Sequence, residues 1–287
     1  MEYKVIHDDC LKVLKTLGAK TIDVVITSPP YNINIKYNQY KDNKKRDEYL
    51  DWLHTIFVEI KRVLKDDGHI FLNVGYTNID PWIGMDVAEK LRDLYYLQNN
   101  ITWIKSITLE DDITRGHFKP INSSRFINPT NEYIFHFTKY GKTKIDRLSI
   151  GVPYMDKSNL KERKKKKKKS GKEKKDKRCR GNSWFIPYKT IKNKKQKGYH
   201  PAIFPEKLVK WCLKLSGIKK GIVMDPFLGT GTTLQVTKQM SDASEKYCYS
   251  GIGMDIDKTY IEYARELLDI NDSDDSDYIL LDISGSG

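Results

Sequence analysis

The feature that most constrains this chain is an apolar run that stops at two consecutive prolines. Residues 22–26 (Ile-Asp-Val-Val-Ile) form the run, and Thr-Ser-Pro-Pro-Tyr follows it directly at residues 27–31. Such runs are typical of strands in parallel sheets, which are covered on both faces. Proline fixes φ near −65° and restricts the residue before it, so the strand must end here. We therefore expect residues 28–31 at the carboxyl end of a strand, where open α/β sheets bind ligands.

A glycine-containing loop follows a second apolar run. Residues 221–224 (Gly-Ile-Val-Met) are typical of a buried strand, and residues 225–233 continue as Asp-Pro-Phe-Leu-Gly-Thr-Gly-Thr-Thr. The two glycines permit a tight turn and close approach of the backbone to a ligand. Thr232 and Thr233 then begin a helix, whose free N-terminal amides can bind an anion. No Gly-Lys-Ser/Thr follows, so the loop is not a P-loop.

An acidic residue follows this loop at the spacing found in nucleotide-binding folds. Residues 251–255 (Gly-Ile-Gly-Met-Asp) predict another strand that ends at Asp255. In nucleotide-binding α/β folds an acidic residue about 20 positions after the glycine loop binds the ribose hydroxyls. The pattern predicts an α/β protein with a doubly wound, mostly parallel sheet.

These motifs resemble those of the DNA amino-methyltransferases, which methylate exocyclic nitrogens with S-adenosylmethionine. The Thr-Ser-Pro-Pro-Tyr form is similar to the catalytic motif of the N4-cytosine branch. It precedes the loop at residues 225–233, an order that resembles the permuted β class, in which the target-recognition region lies between the two motifs. Residues 199–205 (Tyr-His-Pro-Ala-Ile-Phe-Pro) are similar to the family's motif beside the methionine moiety. The resemblance implies a Rossmann-like methyltransferase fold.

The resemblance also implies a set of site residues. The expected catalytic residues are Ser28, Pro29, Pro30 and Tyr31. The expected cofactor-binding residues are Asp9, Pro201, Phe204, Asp225, Pro226, Phe227, Gly229, Gly231, Thr232, Thr233 and Asp255. Asp9 follows a short predicted strand at residues 3–7, and its alternative role is to cap the helix that begins near Leu11.

The chemistry of amino methylation fits these residue types. An exocyclic amino nitrogen is a poor nucleophile inside a duplex, so the nucleotide must be flipped out, at a cost of a few kcal/mol. Tyr31 would stack on the flipped base through its ring, without a need for its hydroxyl. The Ser28 hydroxyl and the Pro29 carbonyl would accept the two amino protons and direct the nitrogen lone pair at the methyl group. Transfer is then a direct displacement that depends on positioning and electrostatics.

The positive charge of the chain is concentrated in one region. The net charge is +13, and residues 161–178 hold thirteen lysines and arginines against three acidic residues. Residues 189–197 add five lysines and no acidic residue. Such stretches indicate contact with the phosphates of double-stranded DNA, and a solvated, disordered lysine loop is the alternative. The expected DNA-binding residues are Arg115, Lys119, Arg125, Lys164, Lys165, Lys166, Lys167, Lys194 and Lys195.

The sequence divides into four predicted segments. Residues 1–139 would form the catalytic half of the methyltransferase domain, and residues 140–198 a small basic target-recognition insert. Residues 199–268 would form the cofactor-binding half, and residues 269–287 an acidic, flexible tail. The chain has no signal peptide and no long apolar stretch, so we expect a soluble, cytoplasmic protein.

The four cysteines, Cys10, Cys179, Cys212 and Cys248, are scattered, without a Cys-x-x-Cys pair. We therefore expect no metal site and no disulfide framework. None of them follows a proline, which argues against the cysteine nucleophile of the C5-cytosine methyltransferases.

Several regular elements and core residues follow from the periodicity. Residues 48–64 predict a helix that ends at Asp67-Gly68, with Trp52 and Phe57 in the core. A strand is expected at residues 69–74, a helix at 85–94 and a strand at 101–104. Residues 105–130 have no clear periodicity, and residues 131–137 predict a strand in which His136 is structural. The aromatic residues at 184, 185 and 188 are expected to form the core of the basic insert, and their alternative role is to stack on bases or to fill the space left by a flipped base.

Three functions remain open from the sequence. The first is a site-specific DNA (cytosine-N4) methyltransferase, with a partner restriction endonuclease implied by the resemblance. The second is an adenine-N6 methyltransferase of the same fold, because Ser28 favours cytosine without fixing it. The third is a non-catalytic nucleic-acid-binding protein, which the intact cofactor motif disfavours. A methyltransferase of structured RNA is also open.

Overall fold

The computed structural model describes residues 1–33, 35, 39–40, 42–109, 113–116, 121–155, 177–188 and 205–270. Its helices are α1 (Cys10–Thr16), α2 (Arg46–Val63), α3 (Ile83–Lys90), α4 (Glu206–Ser216), α5 (Thr232–Asp242) and α6 (Lys258–Leu268). Its strands are β1 (Tyr3–His7), β2 (Ile22–Thr27), β3 (Leu64–Val74), β4 (Tyr96–Ile104), β5 (Ile107–Leu109), β6 (Ile113–Arg115), β7 (Asn131–Thr138), β8 (Ser183–Phe185), β9 (Lys220–Asp225) and β10 (Cys248–Asp255).

One large sheet organises these elements, in the order β1-β10-β9-β2-β3-β7-β4-β8. The strands from β1 to β3 in this order are parallel to their neighbours, and β8 is parallel to β4. Only β7, among the strands described, runs antiparallel to both of its neighbours in this sheet. The hairpin of β5 and β6 lies outside the sheet. The predicted α/β class with a mostly parallel sheet is confirmed.

Helices cover both faces of the sheet, as the doubly wound prediction requires. Successive side chains of a strand point to opposite faces. Val25 packs in a core with α1, α2 and α3, whereas Val24 and Ile26 pack in a second core with α4 and α5. Because both faces are buried, β2 is apolar almost throughout, which is why its sequence shows a run and no alternation.

Three predicted boundaries are wrong: β3 begins at Leu64 and not at residue 69, α3 ends at Lys90 and not at residue 94, and β4 begins at Tyr96 and not at residue 101. The helix α2 ends at Val63, and β3 begins at Leu64, so Asp67-Gly68 lies inside the strand. Leu64 already has extended backbone and pairs with Ile22 of β2, and the register shifts before the next pair. Pairing with β2 therefore ends the helix earlier than its apolar periodicity indicates.

The predicted recognition insert is not separate from the sheet where it is described. Strand β8 lies within residues 140–198 and pairs with β4. Trp184 on β8 is buried against Trp211 of α4, in the core beneath the sheet and not in a core of its own. The four segment boundaries stay a prediction, and the tail from residue 271 onward lies outside the described residues.

The carboxyl ends of β1, β10, β9 and β2 meet at one edge. His7 of β1 pairs with Asp255 of β10, and Gly253 pairs with Asp225 of β9. The loops that follow these four strands therefore emerge side by side. In the described part of the chain, no helix is long and apolar enough to cross a membrane.

Candidate active site

A cavity of about 310 Å³ lies at this edge of the sheet. It separates residues 27–31, which we term the Pro-Pro segment, from residues 226–231, which we term the glycine loop. Its volume is typical of a small-molecule site. Ten of the predicted site residues line it: Asp9, Ser28, Pro29, Pro30, Tyr31, Pro226, Phe227, Gly229, Thr232 and Asp255.

The Pro-Pro segment is held by contacts from distant parts of the chain. The hydroxyl of Tyr49, a buried residue of α2, donates to the Pro30 carbonyl at 2.7 Å. The hydroxyls of Ser28 and Tyr31 lie 2.7 Å apart, and the Tyr31 hydroxyl also donates to Glu132 at 3.2 Å. The Asn73 amide donates to Tyr31 at 3.1 Å and to Glu132 at 2.7 Å. Asn73 was not predicted at the site, because it does not lie near the Pro-Pro segment in the chain. Glu132 belongs to the Asn-Glu-Tyr stretch at residues 131–133, whose similarity to a His-Glu-Tyr element of the resembled family left its role in the base pocket open.

The loop after β1 places two carboxylates at the cavity wall. Asp9 is the N-cap of α1, and its side chain accepts from the amides of Leu11 and Lys12 at 2.9 and 3.3 Å. Asp8 also lines the cavity, and it accepts from the Lys12 ammonium at 3.3 Å. The capping role that the sequence left open for Asp9 is therefore present, and Asp9 lines the cavity as well.

The glycine loop depends on backbone that side chains rarely adopt. Gly229 and Gly231 have φ of 53° and 88°. A Cβ at Gly231 would lie 2.9 Å from the Ala264 side chain of α6, so the loop packs directly on that helix. Gly231 is the N-cap of α5, and Thr232 at the start of this helix faces the cavity. The helix start thus presents backbone amides toward the cavity.

Asp225 and Thr233 are not among the lining residues. Asp225 is 1% exposed, and its carboxylate accepts from the hydroxyls of Thr27 and Thr233, each at 2.7 Å, and from the Phe227 amide at 3.1 Å. Burial raises the pKa of Asp225 to about 6, although the hydrogen bonds from Thr233 and Thr27 oppose the shift. The contact with Thr27 ties the end of β9 to the end of β2, beneath the cavity.

Asp255 is held by the backbone around it. Its two oxygens accept from the amides of Gly229, at 2.8 Å, and Asp257, at 2.9 Å. Burial raises the pKa of Asp255, and these two hydrogen bonds oppose the rise. Asp257 also lines the cavity, and its buried Oδ2 atom has no hydrogen-bond partner in the described structure. The carboxylates of this wall therefore suit a ligand that carries hydroxyl and amino donors.

An aromatic wall faces these carboxylates. The ring of Trp52 on α2 lies 5.6 Å from the ring of Tyr40 and 5.7 Å from that of Phe227. All three residues line the cavity. Trp52 packs against the core, as predicted, and it lines the cavity as well, whereas Phe57 is fully buried as expected. Helical periodicity shows only that a position faces inward, and here the inward direction is the cavity.

Sequence reasoning missed further lining residues, which mostly follow β10 or precede α2. They are Asp8, Cys10, Gln39, Tyr40, Lys44, Trp52, Leu228, Thr230, Ile256, Asp257 and Tyr260. Tyr260 sits on α6, whose N-cap Asp257 accepts from the Thr259 amide. The spacing from Asp255 could have indicated Asp257, because a polar residue at the start of the next helix lies at the same sheet edge.

Two of the predicted DNA-binding residues are described, and both are exposed. Arg115 ends the hairpin strand β6, and the Arg125 guanidinium lies 4.9 Å from the ring of Phe126. The others, Lys119, Lys164, Lys165, Lys166, Lys167, Lys194 and Lys195, lie outside the described residues, as do Pro201 and Phe204.

His136 on β7 is fully buried and lies outside the cavity lining. It is hydrogen-bonded to His69 at 3.0 Å and to Asn99 at 2.8 Å. Burial holds the pKa of both histidines well below the usual range.

Asn131, at the start of the same strand, accepts from the Tyr76 hydroxyl. Among the described residues, no group of three or more His, Cys, Asp or Glu side chains could hold a metal ion.

Residues 22–266 match the sequence profile of the N6/N4 family described as DNA methylase. The match spans both the Pro-Pro segment and the glycine loop. The chain belongs to this family. The assignment confirms the predicted class of enzyme, a DNA amino-methyltransferase with S-adenosylmethionine as cofactor, whereas the N4-cytosine branch stays a prediction.

Individual relatives agree with the family assignment. The type II methyltransferase M.HpaI of Haemophilus parainfluenzae is 31% identical over 276 residues, which cover 94% of this chain and 75% of the relative. The DNA adenine methyltransferase YhdJ of Escherichia coli (strain K12) is 25% identical over 268 residues, which cover 93% of this chain and 82% of the relative. Among solved structures, the PvuII DNA methyltransferase (cytosine-N4-specific) superposes with a TM-score of 0.67 at 18% identity, covering 95% of this chain and 88% of that one. This last likeness supports the fold.

Proposed function

We propose that this DNA methylase transfers the methyl group of S-adenosylmethionine to the exocyclic N4 of a cytosine flipped out of double-stranded DNA. The observation that carries the proposal is that Ser28 lines the same cavity as the carboxylates and the glycine loop. Bound S-adenosylmethionine supplies an activated methyl group on a sulfonium. The residues of the cavity would bind the cofactor and position the base.

The glycine-loop side has the groups that this cofactor requires. Asp255 would accept hydrogen bonds from the ribose hydroxyls, and the buried, unpartnered Oδ2 of Asp257 offers a further acceptor. The wall of Trp52, Phe227 and Tyr40 offers apolar surface to the adenine and the sulfonium. The negative charge of the carboxylates complements the positive charge of the cofactor.

The Pro-Pro segment has the groups that the base requires. Ser28 and the Pro29 carbonyl would accept hydrogen bonds from the two amino protons and direct the nitrogen lone pair toward the methyl group. The Tyr31 ring lines the same wall and offers a stacking surface for the flipped base. The rate acceleration would come from positioning and from acceptors placed before the reaction begins.

Adenine N6 is the second candidate, because one relative, YhdJ, is named a DNA adenine methyltransferase. An adenine amino group presents the same two protons to Ser28 and Pro29. The type II methyltransferases among the relatives also support a proposal that this protein protects DNA at the recognition site of a companion restriction endonuclease.

The base is identified by incubating the protein with labelled S-adenosylmethionine and duplexes of varied sequence, and then analysing the digested nucleosides. We expect N4-methylcytosine and no C5-methylcytosine. N6-methyladenine as the sole product would establish the second candidate, and label in RNA without label in DNA would contradict both.

A further inference from the structure

Beneath the Pro-Pro segment lies a buried ion pair to which the proposed reaction assigns no role. Glu132 on β7 is 7% exposed, and its Oε1 atom lies 2.8 Å from the ammonium of Lys105. The other oxygen, Oε2, accepts from the hydroxyl of Tyr31 and the amide of Asn73. The carboxylate is therefore surrounded by donors, and one of them belongs to the Pro-Pro segment.

The surroundings hold Glu132 and Tyr31 in one arrangement. A Cβ at Gly75 would lie 2.6 Å from the Tyr31 ring and 3.3 Å from the carboxyl carbon of Glu132, so both side chains pack directly on this backbone. The Lys105 ammonium lies 5.9 Å from the ring of Trp103 and 5.5 Å from that of Tyr188. A charge confined in this way keeps its partner carboxylate in place.

The described hydrogen bonds from Tyr31 to Glu132 and between Tyr31 and Ser28 fit one direction. An ionised carboxylate can only accept, so the single hydroxyl hydrogen of Tyr31 points to Glu132. The Tyr31 oxygen must then accept in its short contact with Ser28, so the Ser28 hydroxyl donates to Tyr31. The lone pairs of Ser28 are thereby left for an acceptor role toward a substrate amino group.

We propose that Glu132 is a positioning residue, which acts through Tyr31 to fix the Ser28 hydroxyl as a hydrogen-bond acceptor toward the amino group. Without an acceptor at position 132, Tyr31 can donate to Ser28, and Ser28 can then turn its hydrogen toward the substrate. The inference rests on the proposed function. It differs from the expectation that Tyr31 acts through its ring alone, and Tyr31→Phe distinguishes the two.

The test compares two double variants that remove the ion pair without leaving a buried, unpaired charge. Lys105→Gln with Glu132→Gln keeps an acceptor oxygen for Tyr31, whereas Lys105→Met with Glu132→Leu removes it. We expect the apolar pair to lower the single-turnover rate about 10- to 100-fold, the range for a hydrogen bond to a charged group. The polar pair should stay within about fivefold of the parent rate. Affinities for S-adenosylmethionine and duplex DNA should stay within about threefold in both.

Tyr31→Phe is an independent test, because it keeps the aromatic ring and removes the hydroxyl that connects Glu132 to Ser28. Its rate should fall about tenfold, and adding it to the apolar pair should cause no further loss, because both act on one hydrogen-bond chain. The control is Glu89→Leu on the exposed surface of α3, with the rate expected to be unchanged. If the apolar pair does not fold, the polar pair and Tyr31→Phe decide the question.

Three results would overturn the proposal. They are a parent-like rate for Tyr31→Phe, equal losses in the polar and apolar pairs, and a loss of rate matched by a loss of both affinities. The last would assign Glu132 a purely structural role. Absence of methyl transfer by the parent protein would instead contradict the proposed function, so the two failures are distinguishable.

Discussion

The two sides of the cavity hold their polar groups by different kinds of contact. On the glycine-loop side, Asp255 is held by backbone amides two residues and 26 residues away, and the loop conformation comes from its own glycines. On the Pro-Pro side, Ser28 and Tyr31 are held by side chains of β3 and β7, 42 and 101 residues from Tyr31. The first arrangement depends mainly on a short motif, and the second depends on the whole fold.

Asp225 joins the two sides, because its carboxylate accepts from Thr27, the first residue of the Pro-Pro segment, and from Thr233 after the glycine loop. Removing it should therefore have the largest effect. Asp225→Ala leaves the buried hydroxyls of Thr27 and Thr233 and the partly buried Phe227 amide without their acceptor, and we expect a loss of about 3–5 kcal/mol in the free energy of unfolding. Chemical denaturation measures this. A loss below about 1 kcal/mol would show that the two sides are not coupled through this residue.

The pH dependence of stability tests whether the Asp225 carboxyl is buried between the two sides. The folded pKa of Asp225, about 6, lies above the unfolded value of 3.8, so the folded state binds the proton more tightly between these values. This contribution stabilises the fold at low pH and is lost as pH rises through about 6. The free energy of unfolding of Asp225→Asn, measured relative to the parent, should therefore rise by up to about 3 kcal/mol from pH 4 to pH 8. A stability difference that does not change with pH would contradict the buried, raised pKa.

Ser28→Ala tests the Pro-Pro side alone. Removing an acceptor placed for the amino group should lower the single-turnover rate about 100-fold, or about 2.7 kcal/mol, by analogy with the loss of one oxyanion-hole donor. Affinity for S-adenosylmethionine should be nearly unchanged. Calorimetry and single-turnover kinetics separate these effects, and a fully active variant would remove Ser28 from the mechanism.

Asp255→Ala tests the glycine-loop side alone. It removes a charge-assisted acceptor from the cofactor ribose, so binding of S-adenosylmethionine should weaken by about 1.5–3 kcal/mol. At saturating cofactor the rate of transfer should recover toward the parent value. If the rate stays low at saturation while affinity is unchanged, the two sides do not divide their roles as described.

The smallest expected effect concerns the exposed arginines outside the cavity. Neutralising Arg115 and Arg125 together should flatten the slope of log affinity for duplex DNA against log salt by at most about 2, since each phosphate contact contributes about 0.9. Cofactor affinity should be unaffected. A salt titration on cognate and random duplexes checks this, and an unchanged slope would place the phosphate contacts elsewhere.

The same contrast explains what the sequence could predict. The strand of residues 22–26, the glycine loop and Asp255 were predicted because each is a contiguous motif whose backbone requirements are visible in its own residues. Asn73 and Trp52 were not predicted at the cavity and the role of Glu132 was left open, because these roles arise only when β3, α2 and β7 meet the loops at the sheet edge. Asp225 and Thr233 belong to the predicted motif, yet they bind each other beneath the cavity.

The most direct test of the account is the transfer of labelled methyl groups from S-adenosylmethionine to duplex DNA, measured in parallel for the parent, Ser28→Ala and Asp255→Ala. We expect the parent to label DNA. Ser28→Ala should stay slow even at saturating cofactor, and Asp255→Ala should be slow only below saturation. A parent that binds S-adenosylmethionine and DNA without labelling the DNA would contradict it, as would two variants with the same dependence on cofactor concentration.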